Sequence, residues 1–220
     1  MAVTLADFQR RLIELALRAD ALQFGEFVLK SGRVAPYFFN SGRIYDGRDL
    51  DELGQCYAAW LAAAPMPFDG IFGPAYKGIP IAVASAAALA RVYGRRTGVT
   101  FNRKEAKDHG EGGTFVGAPL TKAMVIVDDV ITDGAAKLEA AAMIRDAGGD
   151  IAAVLVALDR QERGSNSPRA STAEVAQRLG VPVYSLITLD DLLQYLQEQG
   201  RTGEWQAVVR YRNQYGAMAS

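Results

Sequence analysis

Apolar positions along this chain keep two rhythms, and each predicts a different element. Leu5, Phe8, Leu12, Leu15, Ala16 and Leu22 stand mostly three or four apart with charges between them, which predicts an amphipathic helix over residues 5–21. Two short extended pieces follow, Phe27-Val-Leu-Lys-Ser-Gly and Ala35-Pro-Tyr-Phe-Phe-Asn, around a Ser-Gly-Arg turn. Residues 49–64 read as a helix ended by Pro65 and Pro67. A short strand and turn at Gly70-Ile-Phe-Gly-Pro leads into a helix of small residues over 77–92, then a strand over 97–102. Residues 104–117 break the rhythm with charges, four glycines and few apolar side chains, and read as a mobile loop. Beyond it come an apolar strand starting at Met124, a helix from Ala135 closed by Gly148-Gly149, strands over 151–158 and 181–188, and helices over 190–199 and 204–215.

Buried strands alternating with helices predict an α/β fold with a central parallel sheet flanked by helices on both faces. Ligands of such sheets bind beyond the carboxyl ends of the strands. Gly73-Pro74, Asp128-Asp129 and Asp159-Arg160 all close predicted strands, so they should converge on one side. No internal repeat or long linker divides the chain, which reads as a single domain over 1–220. Within it the N-terminal segment, to about residue 45, forms a small flap or hood, and about 65–190 carries the core sheet.

The stretch from Met124 to Gly134 carries the strongest chemical signal. An apolar run ends in Asp128 and Asp129, a Thr132-Asp133-Gly134 turn follows, and a helix starts at Ala135. A strand, turn and helix N-terminus in that order offers free backbone N–H groups and the positive end of a helix dipole to a phosphate. Two adjacent acids suit sugar hydroxyls or a hydrated cation, and without such a partner they would repel. Together they point to a phosphorylated sugar.

Composition narrows the setting. Half of the 220 residues are hydrophobic, 22% are charged, and the formal net charge is −1. That balance argues against nucleic acid or a membrane surface as partner. The longest apolar stretch, 79–90, is too short to span a bilayer, and Asp7, Arg10, Arg11 and Glu14 interrupt any leader-like pattern, so a cytoplasmic protein is expected. Cys56 lies in an apolar stretch and reads as a buried structural thiol, not a nucleophile. The chain has no Gly-x-x-x-x-Gly-Lys phosphate loop, dinucleotide fingerprint, Gly-x-Ser-x-Gly elbow or Cys/His cluster.

Other candidates are ambiguous taken singly. The loop containing Arg103, Lys104, Lys107 and His109 is cationic and glycine-rich enough to close over a polyphosphate, yet a charged loop is most often merely solvated. Phe38 and Phe39 suit either a core or an aromatic wall for a flat ring, and Lys30 and Lys77 look like surface lysines near turns.

The motifs as a set resemble a known family. Val127-Asp-Asp-Val-Ile-Thr-x-Gly is similar to the phosphoribosyl pyrophosphate motif of type I phosphoribosyltransferases. Phe24-Gly-Glu-Phe, Lys30-Ser-Gly-Arg, Pro36-Tyr-Phe-Phe-Asn, Phe72-Gly-Pro-Ala-Tyr-Lys-Gly, Phe101-Asn-Arg-Lys-Glu-Ala-Lys-Asp-His-Gly and Leu158-Asp-Arg-Gln-Glu-Arg-Gly resemble the orotate phosphoribosyltransferases. The resemblance spans about residues 8–193. It implies transfer of a 5-phosphoribosyl group from phosphoribosyl pyrophosphate to orotate, in pyrimidine biosynthesis, with Mg²⁺ held mainly through that substrate and no direct protein ligand. It also implies a homodimer in which loop 104–117 of one subunit covers the site of the other. Carried over by position, Lys30, Tyr76, Lys77, Arg103, Lys104, Lys107 and His109 would bind phosphoribosyl pyrophosphate. Asp128 and Asp129 would face the ribose, and Val130, Ile131, Thr132, Asp133, Gly134, Ala135 and Ala136 would cradle the 5′-phosphate. Phe38, Phe39, Thr132 and Arg160 would take orotate, and Arg103, Lys107, His109, Asp128 and Asp129 would serve catalysis.

One departure falls inside the phosphate turn. The family's Thr-Ala-Gly-Thr is Thr132-Asp133-Gly134-Ala135 here, which removes a hydroxyl and adds a carboxylate. Asp133 pointing to solvent, Lys137 neutralising it, or weakened sugar-phosphate binding are the three readings. Two functional alternatives stay open: a phosphoribosyltransferase for another base, and a binding protein that keeps the fold without turnover.

Overall fold

A computed structural model describes residues 4–29, 31–107, 113–120, 123–131, 134–164 and 170–217. The amphipathic N-terminal stretch forms α1 (Asp7–Arg18), which buries Leu12, Ile13, Leu15 and Ala16. Strands β1 (Leu22–Val28) and β2 (Val34–Phe39) make an antiparallel hairpin, from Leu22 opposite Phe39 to Val28 opposite Val34. The first strand thus starts earlier than the Phe27 that its sequence suggested, because pairing with β2 carries the register back to Leu22. A turn of 3-10 helix, Ser41–Arg43, leads to α2 (Gly47–Ala62), whose first amides at Arg48 and Asp49 donate to the Asp46 side chain.

The main sheet contains β3 (Gly70–Gly73), β4 (Gly98–Lys107), β5 (Gly113–Gly117), β6 (Met124–Val130), β7 (Ile151–Asp159) and β8 (Val183–Thr188), in the spatial order β5-β4-β3-β6-β7-β8. All neighbours are parallel except the β4–β5 edge. Helix α3 (Gly78–Tyr93) follows β3, α4 (Ala135–Asp146) follows β6, and α5 (Ser171–Leu179) precedes β8. Helices α6 (Leu189–Glu198) and α7 (Thr202–Tyr215) end the chain. Both faces of the sheet are covered. Val125 and Val127 of β6 join the core under α1, α2, α3 and α6, whereas Met124 and Ile126 join the one under α4 and α5. Alternation across a doubly covered sheet is why β6 reads as an unbroken apolar run. The small residues of α3 let it approach α2: a Cβ on Gly54 would stand 2.5 Å from the Ala84 carbonyl oxygen.

Two expectations need correction. Residues 104–117 are not wholly loop: β4 runs to Lys107 and Gly113–Gly117 is a strand, with Asn102 opposite Phe115 and Phe101 opposite Val116. Phe115 packs edge-on against Phe72 at 6.1 Å, an anchor that the polar composition conceals. Helix α5 had no counterpart in the sequence reading, since Val175 and Leu179 are its only fully buried anchors. Cys56 is buried, and burial pushes its thiol up to about 12, as expected of a structural cysteine. Among the described residues no helix is long and apolar enough to cross a membrane.

Candidate active site

The carboxyl ends of β6 and β7 open into a cavity of about 830 Å³ roofed by the β1–β2 hairpin. Its wall includes Phe38 and Phe39 from β2, Lys77 at the start of α3, Asp129, Val130 and Ile131 from the end of β6, Lys137 from α4, and Asp159 and Arg160 from the end of β7. Of the three strand ends that the sequence singled out, those of β6 and β7 meet in this cavity through Asp129, Asp159 and Arg160, and Gly73-Pro74 reaches it only by way of Lys77.

Neighbouring residues of a strand point to opposite faces, and that separates the two acids. Asp129 turns toward α3: its Oδ2 accepts from Ser41 Oγ at 2.8 Å and Lys77 Nζ at 2.9 Å, and its Oδ1 accepts from the Val130 amide at 2.8 Å. Burial disfavours its charge, but Lys77, Ser41 and that amide outweigh the penalty and hold the carboxyl below its ordinary range. Asp128 turns toward α4, where its Oδ2 lies 2.5 Å from Lys137 Nζ, and the same ammonium donates to the Val130 carbonyl at 2.6 Å. Burial raises the Asp128 pKa despite Lys137, and the Asp129 charge adds to the rise. The Asp128 backbone carbonyl accepts from Tyr57 OH at 2.7 Å, which pins the strand end from behind. The repulsion expected of adjacent acids is thus answered by one lysine each.

Gly134 caps α4 at φ 74, and a Cβ there would fall 2.2 Å from Val175 Cγ2, so only glycine fits the turn. Ala135 and Ala136 form the exposed first turn of α4. Thr132, Asp133, Lys30 and His109 lie outside the described residues, and Lys107 is described only as part of β4. Lys137 pairs with Asp128 and donates to the Val130 carbonyl, and its suggested role as the neutraliser of Asp133 falls on a residue outside the described ones.

Phe38 is partly exposed and stacks on Phe27 at 5.5 Å, whereas Phe39 is buried in the core while still reaching the cavity. Arg160 is largely buried over the Tyr37 ring, 4.6 Å from its centroid, and its Nε donates to Glu162 Oε1 at 2.7 Å. Among the described residues, Asp128, Gly134, Ala135 and Ala136 stand behind or beside the cavity lining, and Tyr76, Arg103 and Lys104 lie away from it. Tyr76 is exposed beneath Lys104 Nζ, 5.3 Å from the ring centroid, and Arg103 donates to the Gly113 carbonyl at 3.3 Å along the β4–β5 edge.

Ser41, Glu162 and the buried role of Lys137 escaped the sequence reading. For Lys137 a signal existed: it continues the stripe Ala140, Ala141, Ile144 that α4 buries, so a charge there had to meet a partner inside. Ser41 lies in none of the quoted motifs, and Glu162 lies in Leu158-Asp-Arg-Gln-Glu-Arg-Gly with nothing in its spacing to single it out. For a metal the donors are few, since among the described residues no group of three or more His, Cys, Asp or Glu side chains could hold one.

A mostly parallel sheet covered on both faces, with an acid–lysine pair beside a cavity at the carboxyl ends of its strands, is the architecture of a phosphoribosyltransferase of the type I class. No protein-family model matches the chain. It is 53% identical over 210 residues to the orotate phosphoribosyltransferase of Cellvibrio japonicus, covering 95% of this chain and 97% of that one. The orotate phosphoribosyltransferase of Vibrio parahaemolyticus is 51% identical over 210 residues, covering 95% and 98%. Among solved structures, that of orotate phosphoribosyltransferase from Francisella tularensis superposes with a TM-score of 0.84 at 36% identity, over 93% of this chain and 98% of the other. The chain belongs to the orotate phosphoribosyltransferase family.

Proposed function

We infer that this cavity joins orotate to phosphoribosyl pyrophosphate, giving orotidine 5′-monophosphate and pyrophosphate for pyrimidine biosynthesis in the cytoplasm. The observation that carries this reading is one cavity bounded by the end of β6 at Asp129, Val130 and Ile131, the Asp129–Lys77 pair, and Arg160 with Phe38 and Phe39. The 5′-phosphate would sit on the amides at the start of α4. Asp129, with Asp128 behind it, would meet the ribose hydroxyls. Orotate would lie in the part of the cavity lined by Phe38 and Phe39, with its carboxylate toward Arg160.

The reaction forms a bond from orotate N1 to ribose C1 and breaks the bond from C1 to the pyrophosphate oxygen. Positive charge gathers on the ribose and negative charge on the departing group. Asp128 and Asp129 add negative potential near the first, and Lys77 with the cations of the β4–β5 hairpin stabilises the second. When bound, Mg²⁺ supplies further charge to the diphosphate. Closure by the segment carrying Arg103, Lys104, Lys107 and His109 would exclude water from the activated sugar. Arg103, Lys104 and Tyr76 stand outside the cavity of their own chain, which supports a homodimer whose hairpins serve each other's sites.

The test is loss of orotate absorbance with purified protein, phosphoribosyl pyrophosphate and Mg²⁺, repeated after chelation. Saturable, Mg²⁺-dependent loss is expected. Ligand binding with no turnover at high substrate would replace this reading with a binding role.

A further inference from the structure

We infer that Glu162 and the segment following α7 are positioning elements for Arg160, setting its guanidinium before orotate arrives; the role rests on Arg160 being the receptor for the orotate carboxylate. The Glu162 carboxylate links two arginines. Its Oε1 accepts from Arg160 Nε at 2.7 Å and lies 2.6 Å from Nη2, too far off the N–H direction for a second hydrogen bond. Its Oε2 is 3.5 Å from Nη1 of Arg33, which sits in the turn of the β1–β2 hairpin. Below the guanidinium lies Tyr37, packed edge-on against Tyr211 of α7 at 6.2 Å.

The segment that carries Glu162 has little regular structure of its own. Gln161 follows Arg160 at φ 50, a left-handed conformation that costs free energy unless its surroundings hold it. The chain end supplies that hold. Ala217 N donates to the Gln161 carbonyl at 2.8 Å, Arg163 N to the Tyr215 carbonyl at 3.0 Å, and Arg163 Nη2 to the Gln214 carbonyl at 2.7 Å. Arg33 completes the brace, lying over the Tyr215 ring at 5.1 Å and donating to the Arg163 carbonyl at 3.0 Å. An arginine side chain has many rotamers, and a ligand that must freeze them loses affinity. Here one edge of the guanidinium is already tied to Glu162, and its face rests on Tyr37. Nη2 is buried without a hydrogen-bond partner, and among the described residues no hydrogen bond from Nη1 is seen either, so these two nitrogens are the donors left for a carboxylate.

Four variants test the role through separate KM values for orotate and phosphoribosyl pyrophosphate. Glu162→Ala should raise the orotate KM about tenfold while the sugar-phosphate KM and kcat stay within about twofold. Glu162→Gln keeps an oxygen acceptor for Arg160 Nε and should recover most of the loss. A chain ended at Asn213 should reproduce the Glu162→Ala pattern. An unchanged or lowered orotate KM in Glu162→Ala, equal rises in both KM values, or no recovery in Glu162→Gln would each overturn the inference. Arg160→Ala separates the two levels. If it leaves the orotate KM unchanged, the reading of Arg160 itself fails. If it raises that KM while Glu162→Ala does not, only the positioning role fails.

Discussion

Lys137 Nζ and Asp128 Oδ2 lie 2.5 Å apart with both side chains buried, so a lysine in the first turn of α4 is the counter-ion of an acid at the end of β6. Removing one member of a buried pair leaves the other charged without water or partner. Lys137→Met should therefore destabilise the fold by about 3–5 kcal/mol at neutral pH, read by chemical denaturation. Asp128 is already raised by burial, and losing Lys137 raises it further. A carboxyl raised above its unfolded value penalises the fold while ionised, and the penalty goes as falling pH protonates it. The deficit of Lys137→Met should thus shrink on acidification. A deficit that grows toward acid would mean that Asp128 is not the group left stranded.

Asp129 has the opposite sign. Its folded pKa is depressed, with burial opposed by Lys77, Ser41 and the Val130 amide. Its contribution is present above the unfolded carboxylate value and is lost as pH falls through the depressed folded value. Lys77 is half exposed, so Lys77→Met should cost only about 1 kcal/mol at neutral pH. That difference should fade below about pH 4. Thermal unfolding across pH, compared between the two proteins, checks the sign.

Asp133→Ala combined with Ala135→Thr should tighten the sugar phosphate. A hydroxyl hydrogen bond to a charged group contributes about 1.5–3 kcal/mol, tenfold or more in binding. The KM for phosphoribosyl pyrophosphate should drop while that for orotate holds. No change would show the turn's backbone amides to be sufficient alone.

Phe38 and Phe39 should separate function from packing. Phe38→Ala should raise the orotate KM with little change in melting temperature, because its ring is partly exposed at the cavity. Phe39→Ala removes a core ring and should cost about 3–5 kcal/mol of stability. Equal losses of stability in the two variants would contradict this division.

Much of the fold was legible because its signals are local. The run Met124 to Val127 announces a strand covered on both faces, and Gly134 before Ala135 announces a helix start. Strand β5 and helix α5 were not legible: each is short, and each is held by a few contacts, Phe115 on Phe72 and Val175 and Leu179 in the second core cluster. With so few apolar anchors no periodicity can build up along the chain.

The same boundary runs through the site. By itself the sequence determined the order of the chemical groups: adjacent acids at the end of β6, a glycine before α4, and an arginine following β7, because strand ends and helix starts are set by residues near in sequence. Only the tertiary structure decided the partners. It sends Asp128 to Lys137 and Asp129 to Lys77 and Ser41, and it seats Arg160 on Tyr37 beside a Glu162 braced by the chain end. Charges and donors find partners by direction and distance in space, and positions as far apart as Ser41 and Asp129, or Gln161 and Ala217, are brought within hydrogen-bond reach only by the packed sheet and its helices.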